Sequence, residues 1–100
     1  MTFGFPAYFT DQIEHHKDRE TAIESVKTAL STLSWPIEEE LSTQIKAKTS
    51  VNMSSWGEQI VIDYSDNSLL RVTSKCALPT QCFDWGKNKR NVRSFLEEFA

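Results

Sequence analysis

The first clear pattern of apolar positions predicts a helix over residues 19–33. Six apolar side chains recur with a period near 3.6 residues and so share one face: Ala22, Ile23, Val26, Ala29, Leu30 and Leu33. Asp18 stands where an N-cap is expected, and Glu20 in the first turn suits the partial positive charge of a helix N-terminus. Pro36 prevents the helix from continuing, because proline has no amide hydrogen to donate.

The middle of the chain shows alternating apolar and polar positions, which is typical of half-buried β-strands. The alternation predicts strands over residues 44–51, 59–64 and 69–76, and a short edge strand is expected before them over residues 37–41, whose acidic side chains suit a sheet edge. The inward-facing positions of the last three strands are Ile45, Ala47, Thr49, Val51, Ile60, Ile62, Tyr64, Leu70, Val72 and Cys76. The connections between consecutive strands are short, so each strand is expected to pair antiparallel with the next.

The last element is a helix with one apolar face, formed by Val92, Phe95, Leu96 and Phe99. Its N-cap is expected at Asp84, Asn88 or Asn91. The element order α-β-β-β-β-α predicts an α+β fold, a two-layer sandwich whose four-stranded antiparallel meander carries both helices on one face. The opposite face is expected to be wet and to show Lys46, Lys48, Arg71, Thr73 and Lys75.

A chain of 100 residues suffices for a single domain. Residues 13–100 are expected to form this α+β domain, and residues 1–12 an N-terminal arm. The arm is rich in aromatic side chains, at Phe3, Phe5, Tyr8 and Phe9. Because aromatic surface of that size tends to find a partner, we expect the arm to pack on its own domain, with a homodimer contact as the second choice.

The net charge of −3 is unevenly distributed along the chain. Residues 1–44 hold eight acidic and three basic side chains, whereas residues 45–100 hold eight basic and six acidic ones. The acidic total argues against a dedicated nucleic-acid-binding domain. No segment is apolar and long enough to span a bilayer, and the aromatic N-terminus does not have the pattern of a signal peptide. A cytoplasmic protein with reduced thiols at Cys76 and Cys82 is therefore expected.

Four cations stand at the start of the last helix, at Lys87, Lys89, Arg90 and Arg93. Because a helix N-terminus carries partial positive charge, cations are disfavoured there and an anion is needed to compensate. One interpretation is a binding site for a phosphate or carboxylate on the free helix N–H groups. The other is a solvated surface that is neutralised locally, with Arg93 paired to Glu97 and Asp84 placed just before the helix.

Two Trp-Gly pairs are expected in loops, at Trp56 and Trp85. Together with Asn88 and Asn91, the two indole rings would form a recognition pocket. Alternatively, each ring closes the end of the core, each glycine permits a turn, and the asparagines bond loop amides. Both interpretations stay open.

No constellation of residues indicates catalysis, and neither a cofactor nor a metal is expected. The adjacent His15 and His16 point in different directions on a helix and have no third ligand at a recognised spacing. Sheet faces that bind RNA use exposed aromatic side chains to stack bases, and the outward positions of the four predicted strands include none. Nucleic acid is therefore not an expected partner.

Two short motifs carry a resemblance: Ser55-Trp56-Gly57-Glu58-x-Ile60 and Asp84-Trp85-Gly86-Lys87-Asn88-x-x-Asn91. Over residues 18–99 the chain resembles a small bacterial α+β domain without an assigned activity, which occurs alone and also appended to membrane proteins such as rhomboid-type intramembrane proteases. The resemblance implies no catalytic residues. The rhomboid catalytic serine and histidine lie in transmembrane helices, which this chain does not have, so protease chemistry does not transfer.

The sequence thus favours a binding or regulatory module without catalytic activity, whose partner is another protein or a second copy of the chain. The alternative is a module that recognises an anion through the basic start of the last helix. The anion would belong to a phosphorylated ligand, a lipid headgroup or a nucleic acid.

Overall fold

A computed structural model describes residues 8–49, 57–76 and 87–100. Seven elements follow one another along the chain: β1 (Tyr8–Glu14), α1 (Arg19–Thr32), β2 (Ile37–Glu40), β3 (Gln44–Lys48), β4 (Glu58–Asp63), β5 (Leu69–Cys76) and α2 (Lys87–Phe99). Every neighbouring pair of strands is antiparallel, in the spatial order β1-β5-β4-β3-β2. The predicted α+β class and the meander of β2 to β5 are confirmed.

The prediction of four strands is wrong, because β1 adds a fifth strand beside β5. The pairing runs from Tyr8 opposite Lys75 to Glu14 opposite Leu69. β1 therefore runs across the boundary between residues 12 and 13, where the sequence pattern predicts that the N-terminal arm ends and the domain begins. The alternation that identifies a strand is broken in β1, because the acidic Asp11 occupies an inward position between two apolar residues.

Both helices and one face of the sheet contribute to a single buried cluster. The strand residues in it are Ile45, Ala47, Ile60, Ile62, Tyr64, Leu70 and Val72. The helix residues in it are Ala22, Val26, Ala29, Leu30, Val92, Phe95 and Phe99. Phe9 and Ile13 of β1 pack against this cluster from the edge of the sheet. The burial of large apolar side chains here stabilises the fold by roughly 1.5–3 kcal/mol each, as an upper bound.

The helix ends differ in how well the sequence predicts them. The predicted helix over 19–33 is confirmed as α1, with Asp18 at the N-cap position but without a side-chain capping hydrogen bond. α1 ends in a Schellman motif, since Ser34 takes a φ of 61° and the Trp35 N–H donates to the carbonyl of Leu30 over 2.9 Å. α2 begins at Lys87, so the expectation that Asn88 or Asn91 caps it is wrong.

The face of the sheet opposite the core is polar, as predicted. Its positions include Lys46, Lys48, Arg71, Thr73 and Lys75, all of which are exposed or half-buried. At one edge of the sheet, β2 is short, contains a bulge, and carries glutamates that pair with lysines of its neighbours. These features deter a strand edge from pairing with another chain. Neither described helix is long and apolar enough to cross a membrane.

Candidate functional site

A buried polar cluster lies where the start of α2 meets one end of the sheet; we call it the Glu58 network. Its members are Thr49, Glu58, Ser74, Lys87, Asn88 and Asn91. The alternation of the strands brings three of these side chains inward. Thr49 follows the buried Ala47, Glu58 precedes the buried Ile60, and Ser74 follows the buried Val72. At this end the inward positions of the sheet are therefore polar.

The backbone just before Glu58 has a special conformation. Gly57 takes a φ of 76°, in the left-handed region that a residue with a Cβ enters only at an energetic cost. The Glu58 N–H then donates to Thr49 Oγ1 over 2.8 Å, and the Thr49 N–H donates to the Glu58 carbonyl over 2.9 Å. Gly57 thus has the special backbone angle that the sequence predicts for the glycine of a Trp-Gly pair.

The carboxylate of Glu58 receives three donors. Thr49 Oγ1 and Asn91 Nδ2 donate to its Oε1 over 3.1 Å and 2.9 Å, and Lys87 Nζ lies 3.3 Å from its Oε2. A carboxylate that is removed from water needs such partners, because burial without them is strongly unfavourable. Only 9% of the Glu58 side chain is exposed, whereas 43% of the Lys87 side chain is. The ion pair therefore joins a buried carboxylate to a partly solvated ammonium group.

The network continues from Glu58 along the helix. Asn91 Nδ2 also lies 3.2 Å from Ser74 Oγ, and that hydroxyl donates to Asn88 Oδ1 over 2.7 Å. Asn88 and Ser74 are fully buried. Side chains from β4, β5, α2 and the residue that follows β3 are thus held in one connected set of hydrogen bonds. Such fully satisfied networks rigidify a core and specify how its elements are arranged.

The opposite side of the same helix is positively charged; we call Lys89, Arg90 and Arg93 the cationic face. All three side chains are exposed, and the first turn of α2 contains no acidic residue. Lys89 Nζ lies 6.0 Å from the centroid of the Phe9 ring on β1. Among the described residues, neither arginine forms an ion pair, so the expected pair of Arg93 with Glu97 is not made.

The residues that the sequence indicates as one site therefore lie in different parts of the structure. Lys87, Asn88 and Asn91 belong to the Glu58 network, whereas the cationic face points away from it. Trp56 and Trp85, which the sequence suggests as the walls of a pocket, lie outside the described residues, as does Asp84.

Sequence reasoning did not identify Thr49, Glu58 and Ser74 as members of one cluster. A signal was present, because each is a polar residue that shares the inward parity of its strand. What the chain alone does not reveal is the register that brings Glu58 opposite Cys76 and Ser74 opposite Ile60. That register brings the polar side chains of Thr49, Glu58 and Ser74 together beneath the first turns of α2.

A shallow depression of about 410 Å³ lies between the segment after β1 and the end of α2. His15, on its wall, accepts the Lys17 N–H at Nδ1 over 3.1 Å and packs edge-on against the Phe99 ring at 5.5 Å. Within the described ranges, no group of three or more His, Cys, Asp or Glu side chains is placed to hold a metal ion. The contacts of His15 are those of a packed side chain.

Comparison with known proteins gives no assignment, since the chain matches no protein-family model and no curated protein.

Proposed function

We propose that this domain is a non-catalytic binding module that engages an acidic surface of a partner protein through the cationic face of α2. One observation carries the proposal. Lys89, Arg90 and Arg93 project side by side into solvent, while the buried side of the same helix is fixed by the Glu58 network.

The cationic face is unfavourable for the isolated domain. Lys89 and Arg90 lie near the N-terminus of α2, where each cation costs about 0.3–1 kcal/mol through its interaction with the helix dipole. Within residues 8–49, 57–76 and 87–100, the Lys87–Glu58 pair offsets the first of the four cations, and the other three form no ion pair. Cations left unpaired at the start of a helix break a local rule, which is expected at functional surfaces because an external anion can supply the partner.

The Glu58 network supports this role by making the surface rigid. Asn88 and Asn91 anchor the first turns of α2 to β4 and β5 through hydrogen bonds of 2.7–3.2 Å. Charged side chains on an anchored helix lose less freedom on binding than the same side chains on a loop. The hydroxyl, amide and carboxylate groups of the network also bond to one another rather than facing a cleft, which favours a structural role for them over catalysis.

Recognition of a free or ligand-borne phosphate is the second candidate function. The exposed guanidinium groups of Arg90 and Arg93 favour it, because a guanidinium binds phosphate or carboxylate through two parallel hydrogen bonds. Acidic protein surface is the first choice because it also accounts for the spread of the three cations along the helix face.

The test measures binding of poly-L-glutamate and of heparin at low salt. Reversing two charges, in the double variant Lys89→Glu and Arg90→Glu, should weaken poly-L-glutamate binding by about tenfold or more. The matched control is Lys17→Glu with Lys27→Glu, which changes the net charge equally at two lysines that lie outside the cationic face. It should bind poly-L-glutamate like the parent.

Equal binding by all three proteins would show that the cationic face is only a solvated surface. Retention of the parent protein on heparin without binding to poly-L-glutamate, abolished by Lys89→Glu with Arg90→Glu, would favour the phosphate-recognition alternative.

A further inference from the structure

We propose that the polar face of the sheet carries a second binding site, for a short single-stranded nucleic acid. Its core is a row of four outward side chains, Lys48, Gln59, Lys75 and Tyr8, which we call the Tyr8 row. The row exists only because β1 joins the sheet, since β1 supplies the aromatic ring that the four predicted strands lack.

The register of the sheet sets the geometry of the row. Lys48 lies opposite Gln59, Gln59 opposite Lys75, and Lys75 opposite Tyr8, across β3, β4, β5 and β1. Residues directly opposite one another in a sheet point to the same side, and neighbouring strands are about 4.8 Å apart. The row is therefore a line of about 14 Å in which an ammonium, an amide, a second ammonium and a phenol follow one another.

The ring of Tyr8 is open to solvent. Its exposed fraction is 57%, the largest among the exposed large apolar side chains of the described residues. A solvent-exposed ring on a sheet is a stacking surface for a base, and base–aromatic stacking is tolerant of sequence because every base has a π-face. The neighbouring Lys75, also exposed, is placed to contact the phosphate of the same nucleotide.

The two lysines of the row have no carboxylate to neutralise them within the part of the chain that is described. Two acidic side chains near this face have partners of their own. Glu39 pairs with Lys46 at 3.6 Å, and Asp63 accepts hydrogen bonds from Ser65. Glu14 stands at the far end of β1 from the row. The local charge at this end of the sheet is therefore positive, although the chain as a whole is acidic.

The combination of groups favours a nucleotide chain over an acidic peptide. Two lysines would attract either ligand, but an acidic peptide makes no use of an exposed ring beside a lysine. Next to the row, the hydroxyls of Thr10 and Thr73 lie 2.9 Å apart and offer further donors and acceptors. Stacking, phosphate contact and nearby hydroxyls together are the chemistry by which sheets bind single strands.

This site uses different residues from the cationic face. The Tyr8 row points away from the core, whereas α2 lies over the core side of the sheet. The sequence-based expectation that nucleic acid is not a partner rested on the acidic net charge and on a sheet of four strands without Tyr8, and β1 changes the second of these grounds.

The experiment measures the fluorescence anisotropy of a short labelled oligo-uridine at low salt. The parent should bind it. Tyr8→Ala should weaken binding about fivefold or more, while Tyr8→Phe, which keeps the ring, should bind like the parent. Neutralising both lysines, with Lys48→Gln and Lys75→Gln, should reduce the slope of log affinity against log salt by about 1.4. Circular dichroism of each variant checks the fold.

The double variant Lys17→Gln and Lys27→Gln is the matched control, because it removes two charges that lie outside both proposed surfaces, and it should bind the oligonucleotide like the parent. Three results would overturn the proposal: no binding by the parent, loss of binding in this control, or equal binding by Tyr8→Ala and the parent. Equal binding by Tyr8→Ala and the parent would mean that the row is only a charged surface, which binds any polyanion, including an acidic peptide. Failure here leaves the poly-L-glutamate result unaffected, because that measurement depends on α2.

Discussion

The side-chain amide of Asn91, on α2, donates to the carboxylate of Glu58, on β4, over 2.9 Å. The two residues are 33 positions apart and come from the two short motifs that the sequence contains. Their bond gives Glu58 and Asn91 a structural role inside the molecule. It holds the start of α2 against one end of the sheet, while Lys89, Arg90 and Arg93 of the same helix point outward.

Replacement of Glu58 should destabilise the domain strongly. Glu58→Ala leaves the buried donors of Thr49 and Asn91 without their acceptor, and each unsatisfied buried group costs about 1–3 kcal/mol. We expect the free energy of unfolding to fall by about 2–4 kcal/mol in denaturant titrations. Gln59→Ala, a change at the neighbouring half-buried position, should cost much less. Equal losses from the two variants would show that the network contributes little stability.

Removal of the lysine partner should have a smaller effect. Lys87→Met keeps the aliphatic part of the side chain but removes the ammonium group. The Lys87 side chain is 43% exposed. Partly solvated ion pairs contribute at most about 1 kcal/mol and are screened by salt. The difference in unfolding free energy between Lys87→Met and the parent should therefore shrink as salt is added. A loss as large as that of Glu58→Ala, independent of salt, would mean that the ion pair dominates the network.

Asp11 should prevent other chains from pairing with the free edge of β1. The His15 N–H bonds the Ser68 carbonyl over 2.9 Å, and by the alternation of antiparallel pairs the N–H of Gln12 faces away from β5. Asp11 Oδ1 accepts that N–H over 2.8 Å, so a charge covers the middle of the edge.

Removal of the Asp11 carboxylate should promote association of two chains through β1. Asp11→Thr should lower the dimer dissociation constant about tenfold relative to the parent, a difference of about 1.4 kcal/mol. Analytical ultracentrifugation over a range of protein concentrations measures it. Asp11→Asn keeps an acceptor but removes the charge, and should lie between the two. Identical association of Asp11→Thr and the parent would refute the role of the carboxylate.

The turn between β4 and β5 should make stability depend on pH in the acidic range. Hydrogen bonds from the Ser65 hydroxyl and N–H lower the pKa of Asp63, and those from the Ser68 N–H and hydroxyl lower the pKa of Asp66. A carboxyl whose pKa is lower in the folded state stabilises the fold above its unfolded pKa, about 3.9 for aspartate. That contribution is lost as the pH falls from there through the folded pKa.

The melting temperatures of the parent and of Asp63→Asn with Asp66→Asn should therefore differ most above pH about 4 and converge below it. Asparagine still accepts the N–H bonds but does not titrate over this range, which isolates the effect of the charge. A difference that stays constant through the acidic range would contradict the assignment. Both carboxyl groups are largely solvated, so the effect is expected to be modest.

The periodic elements could be read from the sequence because their signal is local. The apolar positions of α1 and the alternation of β3, β4 and β5 each indicate an element without reference to the rest of the chain. β1 gives no such signal, since Asp11 stands at an inward position that solvent still reaches at the sheet edge. A strand of this kind is defined by its pairing with β5, which is not a local property.

The candidate site was predictable only in its exposed half. Cations at the start of a helix with an apolar face on Val92 and Phe95 must project away from the core, so Arg90 and Arg93 were identifiable from the periodicity. The buried half depends on strand register and on where α2 begins. Asn88 and Asn91 looked like caps or pocket residues because their partners Ser74 and Glu58 are distant in sequence.

We propose that α2 has a buried structural side and an exposed binding side. Two-dimensional NMR of the isotope-labelled domain, titrated with poly-L-glutamate at low salt, can distinguish the two sides residue by residue. The backbone amide signals of Lys89, Arg90 and Arg93 should move, while those of Lys17 and Lys27, which are cations outside this face, should stay in place. Signals that move mainly on the sheet, or equally over the whole surface, would contradict it.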